Sequence, residues 1–352
     1  MNEEIKEDSK TEEKNYRKYI VMDIVFHASS LNYDQGHGNF QELKKITKWD
    51  GRQYTLVSRY ALRYSILHWA NKLHPDTWKL AGKDELEAEK EGVASPKINI
   101  IEDKKILDYS EFDLFGFMAA KKKENKNKKD EKTYTRVSPV KISHAISLTP
   151  FNFDNHFTAN LDNMKRAGGE GSNPVNLEEK KDFYIYSVVI DVDRVGKYLL
   201  KEHGNDKIGD IDKTEEKNTR IKTLIETLLC LKREIKGRLE DLSPWLMICG
   251  LYRNGNFNTF LDRIELSKNN IYKIITKTKE IVDSEGRKVI EIENEVIESN
   301  PPKFIIYDTK ELTEIKKEDL LKKIDDFLQK NIINNEIFVF KRKGLEVSYK
   351  NE

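Results

Sequence analysis

Four cations crowd residues 44 to 52: Lys44, Lys45, Lys48 and Arg52, relieved there only by Asp50. Arg59 and Arg63 follow, four residues apart, a spacing that places both on one face of a helix. Ser58 stands at the start of that segment, where a hydroxyl and free backbone N–H groups can meet an anion. Together these groups suit a phosphate backbone, which is held by charge and carries no base information. Tyr54 and Tyr60 add aromatic faces on which bases could stack. A solvated helix face with ordinary surface lysines has the same composition, so the residues alone leave both readings open.

Candidates for catalysis are sparse. Asp34 lies in Leu31-Asn-Tyr-Asp-Gln-Gly36, after the first apolar run, and His27 precedes it. The two would form an acid–base pair only by analogy. A single carboxylate in a Gly- and Asn-rich loop is the ordinary chemistry of a turn, in which Asp hydrogen-bonds its own backbone. A cleaving metal site wants several anchored oxygen ligands, and the other acids are dispersed. HExxH, GxSxG, GxGxxG and P-loop motifs are all missing. The expectation is no enzyme, no metal and no cofactor.

Of 352 residues, 62 are basic and 61 acidic, a net charge of +1, so any basic footprint must be local. Cys230 and Cys249 lie in apolar runs without CxxC spacing, which predicts reduced core thiols. The first 17 residues are polar and charged, as a disordered tail would be, and contain no apolar stretch of a secretion signal. No run is long enough to span a membrane. A soluble, cytoplasmic protein is expected.

These side chains need a frame. Tyr19–Phe26 is apolar and β-branched, as in a buried strand, and a loop with Gly36 and Gly38 follows. Leu62, Ile66, Trp69 and Leu73 recur at helical spacing until His74-Pro75. Phe112–Met118 reads as an aromatic strand or tight turn, and Lys121–Lys132 as a low-complexity loop kept in water by its charge. Val140, Ile142, Ile146 and Leu148 alternate with Lys141, Ser143 and Ser147, a half-buried strand that puts His144 on the apolar side as a core histidine. Residues 149–181 show little periodicity. Phe183–Val192 is a strand, Thr214–Leu239 a helix and Trp245–Tyr252 a strand. Lys273–Val282 and Lys288–Ile297 flank Asp283–Gly286 as a hairpin, a possible protein-docking scaffold, with a helix over Glu318–Lys330 and a strand over Glu336–Phe340 behind it. The order strand, helix, strand, insertion, strand, helix, strand predicts an α+β fold with an RRM-like, ferredoxin-like βαββαβ core and long insertions.

The run Gly38–Leu67, GNFQELKKITKWDGRQYTLVSRYALRYSIL, resembles the DevR-like, type I-B branch of the CRISPR-associated Cascade backbone family, the "Cas-seven" subunits. Asp113-Leu-Phe-Gly116, the run Arg136–Pro150 and the later helix-then-strand pair from Arg220 to Tyr252 extend the likeness over about 18–265. The resemblance implies an RRM-like palm (18–148 and 182–265) that holds CRISPR RNA and a thumb (149–181); residues 266–352, outside the likeness, read as an accessory C-terminal region. It implies copies of the chain stacked as a helical filament along the guide for antiviral recognition of target DNA by the assembled complex. Cas-five, Cas-six and large Cas-eight-type subunits would be partners. The alternative that the resemblance implies, through related type III backbone subunits, is a metal-dependent ribonuclease subunit of a type III-like effector complex using Asp34. Carried onto this chain, the palm contacts are Lys44, Lys45, Arg52, Ser58, Arg59 and Arg63. The thumb contacts are Lys165 and Arg166, with Phe157 or Met164 as the wedge between nucleotides.

Overall fold

The computed structural model describes residues 17–88, 94–120, 133–159, 161–171, 174–198, 210–253, 255–267, 273–282, 288–298, 302–307, 312–330 and 334–350. The Lys121–Lys132 run, the Asp283–Gly286 turn and nearly all of the N-terminal tail lie outside these. The fold is mixed α+β. Its helices among the described residues are α1 (Arg59–Leu73), α2 (Ile98–Glu102), α3 (Ser110–Phe115), α4 (Leu161–Arg166), α5 (Lys217–Leu229) and α6 (Lys317–Gln329).

A nine-stranded sheet runs through the centre. Strand Lys18–Ala28 lies between Asp182–Asp191 and Leu246–Arg253, antiparallel to both. Beyond Asp182–Asp191 come Val140–Ile142 and Ala145–Ser147, then Gln53–Val57 and the edge strand Lys45–Thr47. Glu336–Lys341 pairs with Leu246–Arg253 on the other side. One face packs Ile20, Met22, Ile24 and Phe26 against α1, α5 and α6. The opposite face packs Val21, Val25, Phe183 and Leu246 against Ile264, Phe304 and Ile306 of a second, three-stranded sheet. Burial on both faces explains why the first strand is a nearly continuous apolar run, interrupted by Asp23. Residues beyond 266, expected as an accessory region, thus supply part of the central sheet and the cover of one face.

Local departures have local causes. The helix expected over Thr214–Leu239 stops at Leu229, and Lys232–Ile235 and Arg238–Asp241 form a hairpin. Lys236 (φ 46°) and Gly237 (φ 77°) both take positive φ, the two-residue turn that matches strand twist. Ile235 and Leu239 therefore only mimic a helical period. Phe112–Met118 divides into the end of α3 and a strand start at Phe117, parted by Gly116. A Cβ on Gly116, at φ +71°, would lie 2.2 Å from the Arg136 carbonyl oxygen. The expected strand over 140–148 breaks at Ser143 and His144. His144 is exposed, not a core histidine: its Nδ1 accepts the Arg59 backbone N–H at 3.0 Å. Ser147, expected outward, is buried, because its hydroxyl takes the Thr55 N–H at 3.1 Å.

Asp113, Arg136 and Arg220 form a buried ionic cluster. The Asp113 carboxylate meets Arg136 and Arg220 at 2.6 Å each and accepts the Gly196 N–H at 2.9 Å. Arg136 donates further to the Asp113 and Arg194 carbonyls, and Arg220 pairs with Glu216. Replacing Arg136 by Met leaves a buried carboxylate facing one cation. Breaking such a pair costs about 3–5 kcal/mol, so Arg136→Met should move the urea midpoint sharply down; an unchanged midpoint would contradict the role assigned to the cluster.

Asp23, mid-strand on the face toward the second sheet, accepts the Phe260 N–H at 2.9 Å. Burial pushes its pKa from 3.8 up to about 6, against the smaller pull of that hydrogen bond. A raised carboxyl favours the fold most below pH 3.8, and the contribution is lost as pH rises through about 6. Asp23→Asn, whose amide can face Ser187 on the neighbouring strand, should therefore stabilise above about pH 7, by at most about 3 kcal/mol. Thermal melts across that range check the sign.

Candidate nucleic-acid interface

Helix α1 begins at a built N-terminus. The Ser58 hydroxyl accepts the Ala61 N–H at 3.2 Å, and the Ser58 N–H donates to Asn32 Oδ1 at 2.9 Å. Leu62, Ile66 and Ala70 face the core, which turns Arg59, Tyr60 and Arg63 outward. There they line a pocket of about 290 Å³ with Phe115, Ser138 and Lys141. Three separate segments meet in it: the Ser58–Arg63 helix start, the Asp113–Gly116 turn and the Arg136–Ile142 run. The buried cluster holds the last two together, since Arg136 binds Asp113 two residues before Phe115.

The pocket is cationic. Arg63 lies over the Phe115 ring at 5.3 Å, and Arg59 over Tyr60 at 4.9 Å. Burial lowers the Arg63 pKa, although Glu111 works the other way. Burial first, then the charges of Arg194 and Arg59, lower the Lys141 pKa. Among the described residues, Arg59, Arg63 and Lys141 have no carboxylate at ion-pair distance. Arg63 is half-buried while Arg59 and Lys141 are exposed, and cations gathered with no acid in the pocket lining are arranged for an anion with several oxygens.

The other expected palm cations are placed differently. Lys45 reaches Glu178 at 2.7 Å, with the carboxylate buried, and lies over Phe151 at 4.8 Å. Lys44 pairs with Asp34 at 3.2 Å, and Arg52 with Asp50 at 3.0 Å. Lys48 lies over Tyr54 at 4.3 Å, and the Tyr54 hydroxyl donates to Asp50 at 2.6 Å. The hairpin formed by Lys45–Thr47 and Gln53–Val57 carries Trp49 at its tip, 98% exposed. Of the six expected palm groups, the structure brings Arg59 and Arg63 together; Ser58 serves as their helix cap.

Residues 149–181 form an arm. Strands Asn155–Thr158 and Val175–Glu178 pair antiparallel, with α4 between them, and the second strand runs parallel to Phe40–Gln41. Glu178 also accepts the Leu43 N–H at 2.7 Å, while Glu179 binds the Tyr33 hydroxyl at 2.9 Å and Arg238 at 3.1 Å. Phe157 is exposed on the arm. Met164 folds against Gly169, Arg166 pairs with Asp162 at 2.8 Å, and the Lys165 side chain has no partner among the described residues.

His27 and Asp34 do not form a pair. His27 stacks on Phe183 at 4.4 Å and meets Trp245 edge-on. Asp34 accepts the Gln35 N–H at 3.0 Å, the turn chemistry its sequence context predicts. Among the described residues no group of three or more His, Cys, Asp or Glu is placed to hold a metal ion, and no helix is long and apolar enough to cross a membrane. Cys249 is buried, whereas Cys230 is half-exposed at the end of α5; both are free thiols. Sequence reasoning missed Lys141 as a pocket cation. Lys141 was legible as the outward position between Val140 and Ile142.

The chain is a CRISPR-associated protein. Residues 20–271 match the model of the family described as CRISPR-associated negative auto-regulator DevR/Csa2, and the chain belongs to that family. No curated protein matches it. Among solved structures it is similar to a chain of a "CRISPR RNA-guided surveillance complex", at 12% identity and a TM-score of 0.42, covering 69% of this chain and 73% of that one. It is similar also to a chain of a "CRISPR RNA-guided surveillance complex, pre-nicking", at 12% identity and a TM-score of 0.41, covering 69% and 81%.

Two kinds of lysine follow from this geometry. Lys45→Ala strips a buried carboxylate of its cation and should lower stability by about 1–3 kcal/mol. Lys141→Ala removes a cation crowded by other cations and should leave the melting midpoint unchanged or slightly raised. Calorimetry of the two variants side by side tests the distinction.

Proposed function

We propose that the chain is a CRISPR RNA-binding backbone subunit of a type I-B-like Cascade complex. Its pocket at the start of α1 holds phosphates of the guide. The observation that carries this reading is the convergence, on one cationic pocket with no acid in its lining, of three of the four segments through which the sequence resembles the Cascade backbone family. Membership of a CRISPR-associated family supports it. Two guanidinium groups over aromatic rings and an ammonium in the same pocket suit a phosphate backbone, whose oxygens accept several hydrogen bonds at once without regard to base.

The core is RRM-like in this reading. Strand Lys18–Ala28, α1, the strands over 140–147, strand Asp182–Asp191, α5 and strand Leu246–Arg253 follow in the order of a split βαβ pair. Their spatial order, fourth, first, third and second, with antiparallel pairing throughout, supports that assignment. RRM domains stack bases on the open sheet face; here the second sheet covers that face, so the guide runs along the helix side and the pocket. Residues 18–148 and 182–265 are the palm, and the arm over 149–181 is the thumb. Phe157 or Met164 acts as wedge, and Lys165 and Arg166 follow the backbone.

Copies of the chain stack along the guide, and Cas-five, Cas-six and Cas-eight-type subunits complete the assembly, which then meets target DNA. The subunit itself is non-catalytic in this reading, since Asp34 is engaged by Lys44 and its own loop. Binding of single-stranded RNA by the purified chain should weaken steeply with salt. A combined Arg59→Ala, Arg63→Ala and Lys141→Ala variant should lose about two units of the log–log salt slope, at roughly 0.7 per phosphate contact. An unchanged slope, or no binding by the parent chain, overturns the reading. Incubating the RNA-loaded assembly with complementary RNA and magnesium should give no cleavage; cleavage lost in Asp34→Ala would reverse the non-catalytic assignment.

A further inference from the structure

Helix α1 carries an exposed aromatic stripe that the phosphate pocket does not use up. Tyr60, Tyr64 and His68 recur every four residues on its outer face, with Tyr60 65% and Tyr64 58% exposed. The Tyr64 and His68 rings lie 4.2 Å apart, tilted by 40°. Three aromatic side chains in a row on a solvated helix have no role in the core, which α1 reaches through Leu62, Ile66 and Ala70.

Cations bracket the stripe. Tyr60 lines the pocket of Arg59, Arg63 and Lys141. Tyr64 and His68 line a second pocket of about 170 Å³, whose other walls include Lys72, Lys232 and Arg233. Arg233 spends its guanidinium on neutral acceptors, the Leu31 and Ala61 carbonyls and the Ser65 hydroxyl, so its charge is uncompensated. Two acids lie near. Glu234 pairs with Lys72 at 3.6 Å, and Glu111 accepts the Ala81 N–H at 2.6 Å while acting on Arg63 and His68 from a distance. The balance remains positive along both flanks.

The geometry points to a base-stacking track: single-stranded RNA leaving the first pocket runs along α1, with successive bases on Tyr60, Tyr64 and His68 and its phosphates toward the second pocket. Two turns of helix between Tyr60 and His68 span roughly 12 Å, room for two or three nucleotides. Stacking suits a strand of arbitrary sequence, since every base presents a π-face. This inference rests on the RNA-binding reading and adds the path and the mode of contact.

The test uses the full chain and an oligouridylate carrying one 2-aminopurine, titrated by anisotropy and fluorescence at several salt concentrations. Tyr64→Leu with His68→Leu should weaken binding by about tenfold at every salt, leave the salt slope unchanged and remove the quenching of 2-aminopurine seen with the parent chain. Tyr64→Phe, which keeps the ring, should bind as the parent does. All three substitutions are at exposed positions, and thermal midpoints confirm the fold. Parent-like affinity in the double Leu variant overturns the track while leaving phosphate binding intact, as the Arg59→Ala, Arg63→Ala control will reveal. A fall in slope instead of affinity at constant slope overturns it too. So does a change of self-association with unchanged RNA binding, which would assign the stripe to a protein partner. No binding by the parent chain removes both the track and the reading beneath it.

Discussion

The carboxylate of Asp113 is the point on which the candidate interface depends. It is withdrawn from water and held between two guanidinium groups and a backbone N–H. Arg136 arrives from a strand edge, Arg220 from α5 and the Gly196 N–H from the turn after strand Asp182–Asp191. A buried charge tolerates no loose partner, so the four segments are held in one geometry. The wall of the cationic pocket is what that geometry leaves on the outside: Phe115 and Ser138 sit two residues from Asp113 and Arg136. Residues that look like a binding motif in the sequence thus divide into those that touch solvent and those that hold the first group in place.

Covering both faces of the central sheet has a comparable effect on a larger scale. Apolar side chains alternate to two cores, one under the helices and one under the second sheet. Among the described residues, the central strands of the sheet are covered on both faces. Among the described residues, exposed charged and aromatic groups include those on helix α1, with Arg59, Tyr60 and Tyr64, on the hairpin tip at Trp49 and on the arm at Phe157.

Much of this was legible from the residues. Strand Lys18–Ala28, helix α1 up to His74-Pro75, and the hairpin Lys273–Val282 with Lys288–Glu298 follow from apolar run, period and breaker. What failed did so for identifiable reasons. Lys236-Gly237 is a two-residue turn flanked by apolar residues that happened to keep helical spacing. The alternation over 140–148 presumed one wet face, whereas Ser147 is buried by a hydrogen bond and His144 leaves the strand to take the first N–H of α1. For the interface, sequence proximity grouped Lys44, Lys45 and Arg52 with Arg59 and Arg63. Their acidic partners, Asp34, Glu178 and Asp50, separate them again, and Glu178 lies 133 residues away from Lys45. A partner so distant in sequence leaves no local trace.

The same Glu178, with Glu179 beside it, gives the arm over 149–181 a mechanical character. Its root is fastened at successive positions to the loop that follows the first strand, through Lys45, the Leu43 N–H and the Tyr33 hydroxyl. Its far end, α4 and the glycines at 168, 169 and 171, has no comparable anchorage among the described residues. The insertion is thus tied down at its root, as a cantilever is. Insertions or deletions near residues 161–171 would change its reach while preserving its direction. A change at the root would swing the whole arm and pull the loop with it, so in evolution the loop and the root must vary together while the tip varies alone.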